Sequence, residues 1–303
     1  MSKIAFLFPG QGAQAVGMCR ELIQELPAVA ALFDRAGEVL GFDLRQLCLE
    51  GPAEALAATD VSQPALFVAS LSALESLKQT NPEVVANCRG AAGLSLGEYT
   101  ALTFAGALDF EAGLEVVRRR GQAMQAASLA SPSGMISVLG LDEARVDELC
   151  ERVAPHGQIW KANMLGPGNI VVSGSAEALE HVEPIAQELG AMRVVRLTVA
   201  GAFHTPLMKP ADEQLAEVLA GVDVRAPRIP VYSNVDASPH DDPKEIREIL
   251  VTQVLKGVRW DESMRRMLAD GFDTFYEIGP GRVLTGLLKR IDRKIPCTSV
   301  PAR

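Results

Sequence analysis

The fold turns on Ala91-Ala92-Gly93-Leu94-Ser95-Leu96-Gly97-Glu98, followed by Tyr99 to Phe104. A short apolar segment at Ala91 and Ala92 runs into Gly93-x-Ser95-x-Gly97, and Glu98 to Phe104 is compatible with a helix. A tight strand–turn–helix of this kind holds a serine at the bend with its Oγ exposed. The two glycines relieve crowding where a Cβ would obstruct the turn. The helix that follows aims free N–H groups, and the positive end of its dipole, at a developing oxyanion.

Working outward, Ile4 to Phe8 reads as a strand that ends in Pro9-Gly10-Gln11-Gly12 and gives way to a helical pattern. Helices fit Ala28 to Leu40, Gln63 to Leu77 and Glu111 to Ala127. This alternation predicts an α/β protein with a mostly parallel sheet. From Met135 the rhythm changes. Met135 to Leu139, Ile159 to Asn163, Ile170 to Val172 and Met192 to Leu197 read as strands, with helices at Glu143 to Val153 and Ala176 to Leu189. That order is βαββαβ, the ferredoxin-like arrangement. The α/β pattern resumes with strands at Ile229 to Tyr232 and Thr274 to Glu277 and helices at Glu245 to Leu255 and Val283 to Ile291. No Pro/Ser-rich linker divides the chain, so the small domain, 130–199, is expected as an insertion into a large domain of 1–129 and 200–303.

Composition narrows the function classes. The chain has 303 residues, 48% of them apolar, and a net charge of −9. Such apolar content excludes a disordered chain, and the charge argues against a nucleic-acid grip. No apolar run approaches a membrane span, and Ile4 to Phe8 is too short for a signal peptide. The five cysteines are scattered, without a CxxC or zinc spacing. They predict a reduced, cytoplasmic protein in which cysteines serve as small buried hydrophobes.

A serine nucleophile needs a base, and only His156, His181, His204 and His240 are available. His181 lies in an acid-rich helical stretch, and His156 and His240 sit beside prolines in polar segments. His204, in Gly201-Ala202-Phe203-His204-Thr205-Pro206, follows a predicted strand. Strand ends are where α/β sites gather. Gly10-x-Gly12-x-x-Ala15 mimics a dinucleotide fingerprint, but the region ~20 residues on that should hold a strand with an acid reads as helix. The turn is better suited to aiming a backbone N–H into the site. Within Arg118-Arg119-Arg120, Arg118 shares a polar face with Glu111 and Glu115, and Arg119 pairs with Glu115 at i,i+4. Arg120 instead lies over Val116 and Met124, on the apolar side. Breaking a buried ion pair costs ~3–5 kcal/mol, so an anion is expected to meet Arg120: an acid of this chain or a substrate carboxylate held bidentately. Lys289, Arg290, Arg293 and Lys294 form the densest basic cluster, a solvated helix end or a docking point for an acidic partner.

Seven segments in register resemble the malonyl-CoA:acyl carrier protein transacylases, stand-alone acyltransferases of fatty acid synthesis. They are Phe8 to Gly12, Ser62 to Phe67, Gly93 to Tyr99, Arg120-Gly121 with Met124-Gln125, Gly201 to Pro206, Tyr232 to Asn234, and Ile278 to Gly281. The resemblance spans Ile4 to about Leu288. It implies a hydrolase-like large domain with a ferredoxin-like insert. It also implies Ser95 as nucleophile and His204 as base, the latter oriented by a carbonyl or amide rather than an acid. The N–H groups of Gln11 and Leu96 would form the oxyanion hole, and Arg120 would take the malonyl carboxylate. Asn163 matches the start of the family's Asn-rich loop, Gln63 joins the substrate-binding set, and Phe203 marks malonyl over methylmalonyl. Malonyl-CoA and acyl carrier protein are the implied partners, with no metal or cofactor and a monomer as the default state. The chain departs from the family at Leu94, where a histidine is usual, and at Leu165, Asn169 and Arg259. The competing classes are a serine esterase or patatin-like hydrolase, an acyltransferase of polyketide assembly, and a non-catalytic scaffold that binds a carrier protein.

Overall fold

The computed structural model describes residues 2–303. Its strands, in chain order, are β1 (Ile4–Phe8), β2 (Cys88–Gly93), β3 (Ser133–Leu139), β4 (Ile159–Gly166), β5 (Asn169–Ser175), β6 (Arg193–Arg196), β7 (Val231–Tyr232), β8 (Thr274–Ile278) and β9 (Cys297–Val300). Five of them form a sheet in the order β7-β2-β1-β8-β9, with every pairing parallel. β1 is its centre. The period-two alternation of a strand sends Phe6 and Phe8 into the core on one face and Ala5 and Leu7 into the core on the other. All four are fully buried, as befits a parallel strand covered on both sides.

The other four strands form an antiparallel sheet, β4-β5-β3-β6. With helices Glu143–Val153 and Ala176–Glu188 this is the ferredoxin-like βαββαβ unit. One face, with Ile136, Val138 and Val172, packs on those two helices as a separate core. The other face, through Met135, Ala162 and Val171, joins the core of the large domain. Main chain also links the two lobes. Val258 donates to Ala162 O at 2.8 Å and accepts from Met164 N at 2.9 Å, forming a parallel bridge.

Two differences from the sequence reading have physical causes. The helix read from Gln63 runs from Thr59 to Thr80. Ser62 to Leu74 are buried all round, so no amphipathic stripe marks its ends. The helix expected directly after Gly12 begins only at Arg20, because Gly12 and Gly17, both at positive φ, shape an intervening loop. Helices Ala211–Ala220 and Trp260–Ala269 and the edge strand β9 complete the large domain. All five cysteines are free; Cys19, Cys48 and Cys88 are buried, and burial pushes the Cys48 and Cys88 thiols up to about 12. Among the described residues no helix is long and apolar enough to cross a membrane.

Candidate active site

The site forms where the carboxyl ends of β1 and β2 lie side by side, the usual location in a parallel sheet. Ser95 follows β2 with φ 53° and ψ −102°, a conformation that costs a side-chain-bearing residue ~1–3 kcal/mol. The surroundings enforce it. Ser95 N donates to Asn234 Oδ1 at 2.6 Å, and Asn234 Nδ2 donates to Gly93 O at 2.8 Å, so one amide pins both sides of the bend. A Cβ on Gly93 would stand 1.9 Å from Gly97 C, and one on Gly97 would stand 2.1 Å from Phe8 O. Both positions therefore require glycine for closeness of approach. Helix Leu96–Phe104 starts at once, and the N–H groups of Leu96 and Gln11 have no acceptor among the described residues. Free amides at a helix start are suited to an oxyanion.

His204, also at positive φ (62°), brings Nε2 to 2.8 Å from Ser95 Oγ. Its Nδ1 lies 3.0 Å from the backbone carbonyl of Gln253. A carbonyl only accepts, so the neutral ring carries its proton on Nδ1 and leaves Nε2 as an acceptor for the hydroxyl. Burial, reinforced by the nearby Arg120 charge, lowers the His204 pKa to about 4, which keeps the ring neutral.

Arg120 is 1% exposed. Nη1 donates to Gln63 Oε1 at 2.7 Å, and Nη2 donates to Gln253 Oε1 at 2.9 Å and to Ser95 Oγ at 3.0 Å. The guanidinium lies over the Tyr99 ring at 5.3 Å. One of the two expectations for its anion fails. Among the described residues no carboxylate forms an ion pair with Arg120; two neutral amides hold it instead. Arg118 and Arg119 both pair with Glu115, as their helical spacing requires.

A small cleft with about 90 Å³ of open space is lined by Gln11, Ser95, Leu96, Arg120, Asn163, Phe203 and His204, with Leu94, Met124 and Met135 as apolar wall. Gln63 is not in the lining; it stands behind Arg120. Asn163, contributed by the inserted domain, has a buried Oδ1 without a partner. Of the departures from the family pattern, only Leu94 reaches the cleft. Leu165 packs between cores, Asn169 accepts from Ser137 Oγ, and Arg259 pairs with Glu262. The remaining histidines lie elsewhere: the His156 and His181 rings stack at 3.7 Å, and His240 contacts Asp236 and Glu245. The side chain of Gln253 was not anticipated. It sits at the end of helix Pro243–Gln253, far from the motifs in sequence, and no local pattern distinguishes it. Glu98 was likewise read only as part of a helix.

The acyl transferase domain family matches residues 5–301. The malonyl CoA-acyl carrier protein transacylase of Bacillus subtilis (strain 168) is 43% identical over 303 residues, covering 99% of this chain and 94% of the relative. The solved malonyl CoA-acyl carrier protein transacylase of Coxiella burnetii superposes with a TM-score of 0.94 at 36% identity, over 99% of this chain and 94% of that one. A malonyl-transacylase solved in complex with a type II PKS acyl-carrier protein gives a TM-score of 0.94 at 38% identity, over 98% of this chain and 96% of that one. With its strained serine, paired histidine and buried arginine in one cleft, the chain belongs to the acyl transferase domain family, among the malonyl CoA-acyl carrier protein transacylases.

Proposed function

We propose that this protein moves a malonyl group from malonyl-CoA to the phosphopantetheine thiol of acyl carrier protein by a ping-pong route through Ser95, in the service of fatty acid synthesis. The observation that carries the reading is Ser95 Oγ lying between His204 Nε2 at 2.8 Å and the acid-free guanidinium of Arg120 at 3.0 Å. A nucleophile within reach of a neutral base and a buried cation with no carboxylate paired directly to it suits an acyl group that carries its own carboxylate.

In the first half-reaction Nε2 of His204 takes the Ser95 proton as Oγ attacks the thioester carbon. The tetrahedral oxyanion is held by the N–H groups of Gln11 and Leu96. The carbon–sulfur bond breaks, and the CoA thiolate leaves with the proton from His204. In the second half the carrier thiol gives its proton to His204 and attacks the ester carbon, and Ser95 leaves as the hydroxyl. Arg120 turns its donors to the malonyl carboxylate, backed by Gln63. Asn163 supplies an acceptor oxygen to the rim, and Phe203 crowds the α-carbon.

We take 1–129 and 200–303 as the catalytic domain and 130–199 as the insert, a division supported by the separate apolar core of the antiparallel sheet. We also read the protein as a cytoplasmic monomer. Its free cysteines suit a reducing compartment. Its exposed large apolar side chains, Val16, Leu129, Met192 and Val283, are well separated in sequence.

The test is intact-mass analysis after incubation with malonyl-CoA, acetyl-CoA and methylmalonyl-CoA. A malonyl adduct on Ser95 that is lost to carrier thiol, and is absent in Ser95→Ala, supports transfer. Rapid release of free malonate identifies a hydrolase, and adduct on another residue overturns the assignment.

A further inference from the structure

We propose that Glu98 is a positioning residue for Arg120: its carboxylate locks the Gln253 side-chain amide in the orientation that presents Oε1 to the guanidinium. The proposal rests on the acyl-transfer reading of the cleft and deepens it.

Glu98 is 3% exposed and lies just past Ser95 on helix Leu96–Phe104. Its Oε2 accepts from Gln253 Nε2 at 2.6 Å and from Asn234 N at 3.0 Å. An ionised carboxylate can only accept, so the NH₂ end of the Gln253 amide must face it. The carbonyl end, Oε1, then faces Arg120 Nη2 at 2.9 Å. Flipping the amide would set oxygen against carboxylate oxygen and N–H against guanidinium N–H. Both contacts would be repulsive in a buried site, where unpaired polar groups are costly.

The consequence is chemical. Arg120 has a negative charge nearby, but one amide removed. Glu98 relieves the guanidinium without occupying its fork, which a carboxylate paired directly with Arg120 would do. The same carboxylate steadies the nucleophile from below, because Asn234, held through its N–H, fixes Ser95 N and Gly93 O. Gln253 Nε2 also reaches Ser95 O at 3.1 Å, so both arms of the network converge on the bend. Burial pushes the Glu98 carboxyl up to about 7, opposed by the donors of Gln253, Asn234 and Ser233 and by the Arg120 charge. Arg120, from helix Phe110–Ala130, and Tyr99, on Glu98's own helix, are the titratable groups facing it; Ser233, Asn234 and Gln253 face it as neutral groups.

The experiment compares Ser95 loading by malonyl-CoA and acetyl-CoA in wild type, Glu98→Gln, Glu98→Met, Gln253→Met and the Glu98→Met/Gln253→Met double variant, with thermal melts as the folding control. Glu98→Gln keeps an oxygen towards both N–H donors and should stay within about tenfold of wild type for malonyl. Glu98→Met should lose about a hundredfold in malonyl loading and about tenfold in the malonyl-to-acetyl ratio. The double variant should lose less than the product of the single losses, because the two side chains act as a unit. A folded Glu98→Met with an unchanged malonyl-to-acetyl ratio, or losses that multiply, would overturn the proposal. Failure of wild type to load malonyl at all would instead overturn the acyl-transfer reading. Should Glu98→Met not fold, nitrogen-15 spectra of wild type and Glu98→Gln decide. The Gln253 side-chain amide signals should be displaced in Glu98→Gln, where a neutral group replaces the carboxylate against Nε2. Signals that coincide in wild type and Glu98→Gln would sink the idea.

Discussion

Arg120 Nη2 rests 3.0 Å from Ser95 Oγ, so cation and hydroxyl touch before any substrate arrives. An incoming malonyl carboxylate must draw the guanidinium away from the hydroxyl, leaving Oγ to His204 alone. Arg120→Met should therefore lower Ser95 loading by malonyl-CoA about a hundredfold or more, and loading by acetyl-CoA less than about tenfold. Rapid-quench mass analysis of both adducts checks this. Equal losses would reduce Arg120 to a structural group.

His204 titrates at about 4 in the fold, against 6.5 for an ordinary histidine, because burial and then the Arg120 charge oppose its cationic form. Between those values the unfolded chain binds more protons than the folded one. Protonation thus favours unfolding, and stability is lost as pH falls from 6.5 towards 4. His204→Gln lacks this contribution. The melting-temperature difference between wild type and His204→Gln should therefore shift against wild type across that window. A flat difference would contradict the depressed value.

Gly97 and Gly286 should respond in opposite directions to the same substitution. In Gly97→Ala the new Cβ would lie 2.1 Å from Phe8 O, a backbone atom. The bend must open, with a loss of about 2 kcal/mol or more and no acyl adduct. Gly286 lies on the exposed face of helix Val283–Ile291 with nothing within 4 Å of an added Cβ. Gly286→Ala should gain about 0.5–1 kcal/mol and leave activity alone. Urea melts of the two variants decide.

Phe203 is 5% exposed and lines the cleft beside His204. Phe203→Ala should let methylmalonyl-CoA load Ser95 at least about tenfold better relative to malonyl-CoA. An unchanged ratio in competition experiments would remove Phe203 from substrate choice.

Lys289, Arg290, Arg293 and Lys294 are exposed, and none forms an ion pair among the described residues. Ile291 between them approaches Gly166 of the insert. Reversing these charges should raise the KM for acyl carrier protein about tenfold at low salt, with less effect at high salt and none on CoA kinetics. Steady-state titration with carrier protein tests it.

The strand–turn–helix bend at Ser95 was legible in the sequence because its geometry is local. Gly93, Ser95 and Gly97 are close neighbours, and each glycine answers a contact within the turn or with β1. The insert was legible because period-two and period-3.6 patterns switch in a distinctive order between Met135 and Leu197. The environment of Arg120 was not. Helical spacing placed it on the apolar face, but its holders, Gln63 and Gln253, come from two other helices. Gln253 contributes through its main-chain carbonyl to His204 and through its side chain to Arg120. A glutamine at the end of an amphipathic helix gives no hint of either. Helices Ala211–Ala220, packed on helices Phe110–Ala130 and Pro243–Gln253, and Trp260–Ala269, packed against β4, were missed for a simpler reason: they carry no motif.

The parallel bridge between Val258 and Asn163 reaches beyond architecture. It ties the lobes by peptide groups, which no substitution can delete except proline. The tie between Asn163 and Val258 is thus set by main chain and not by the side chains that face the cleft. A change to a residue of the lining therefore leaves this fastening of the two jaws in place.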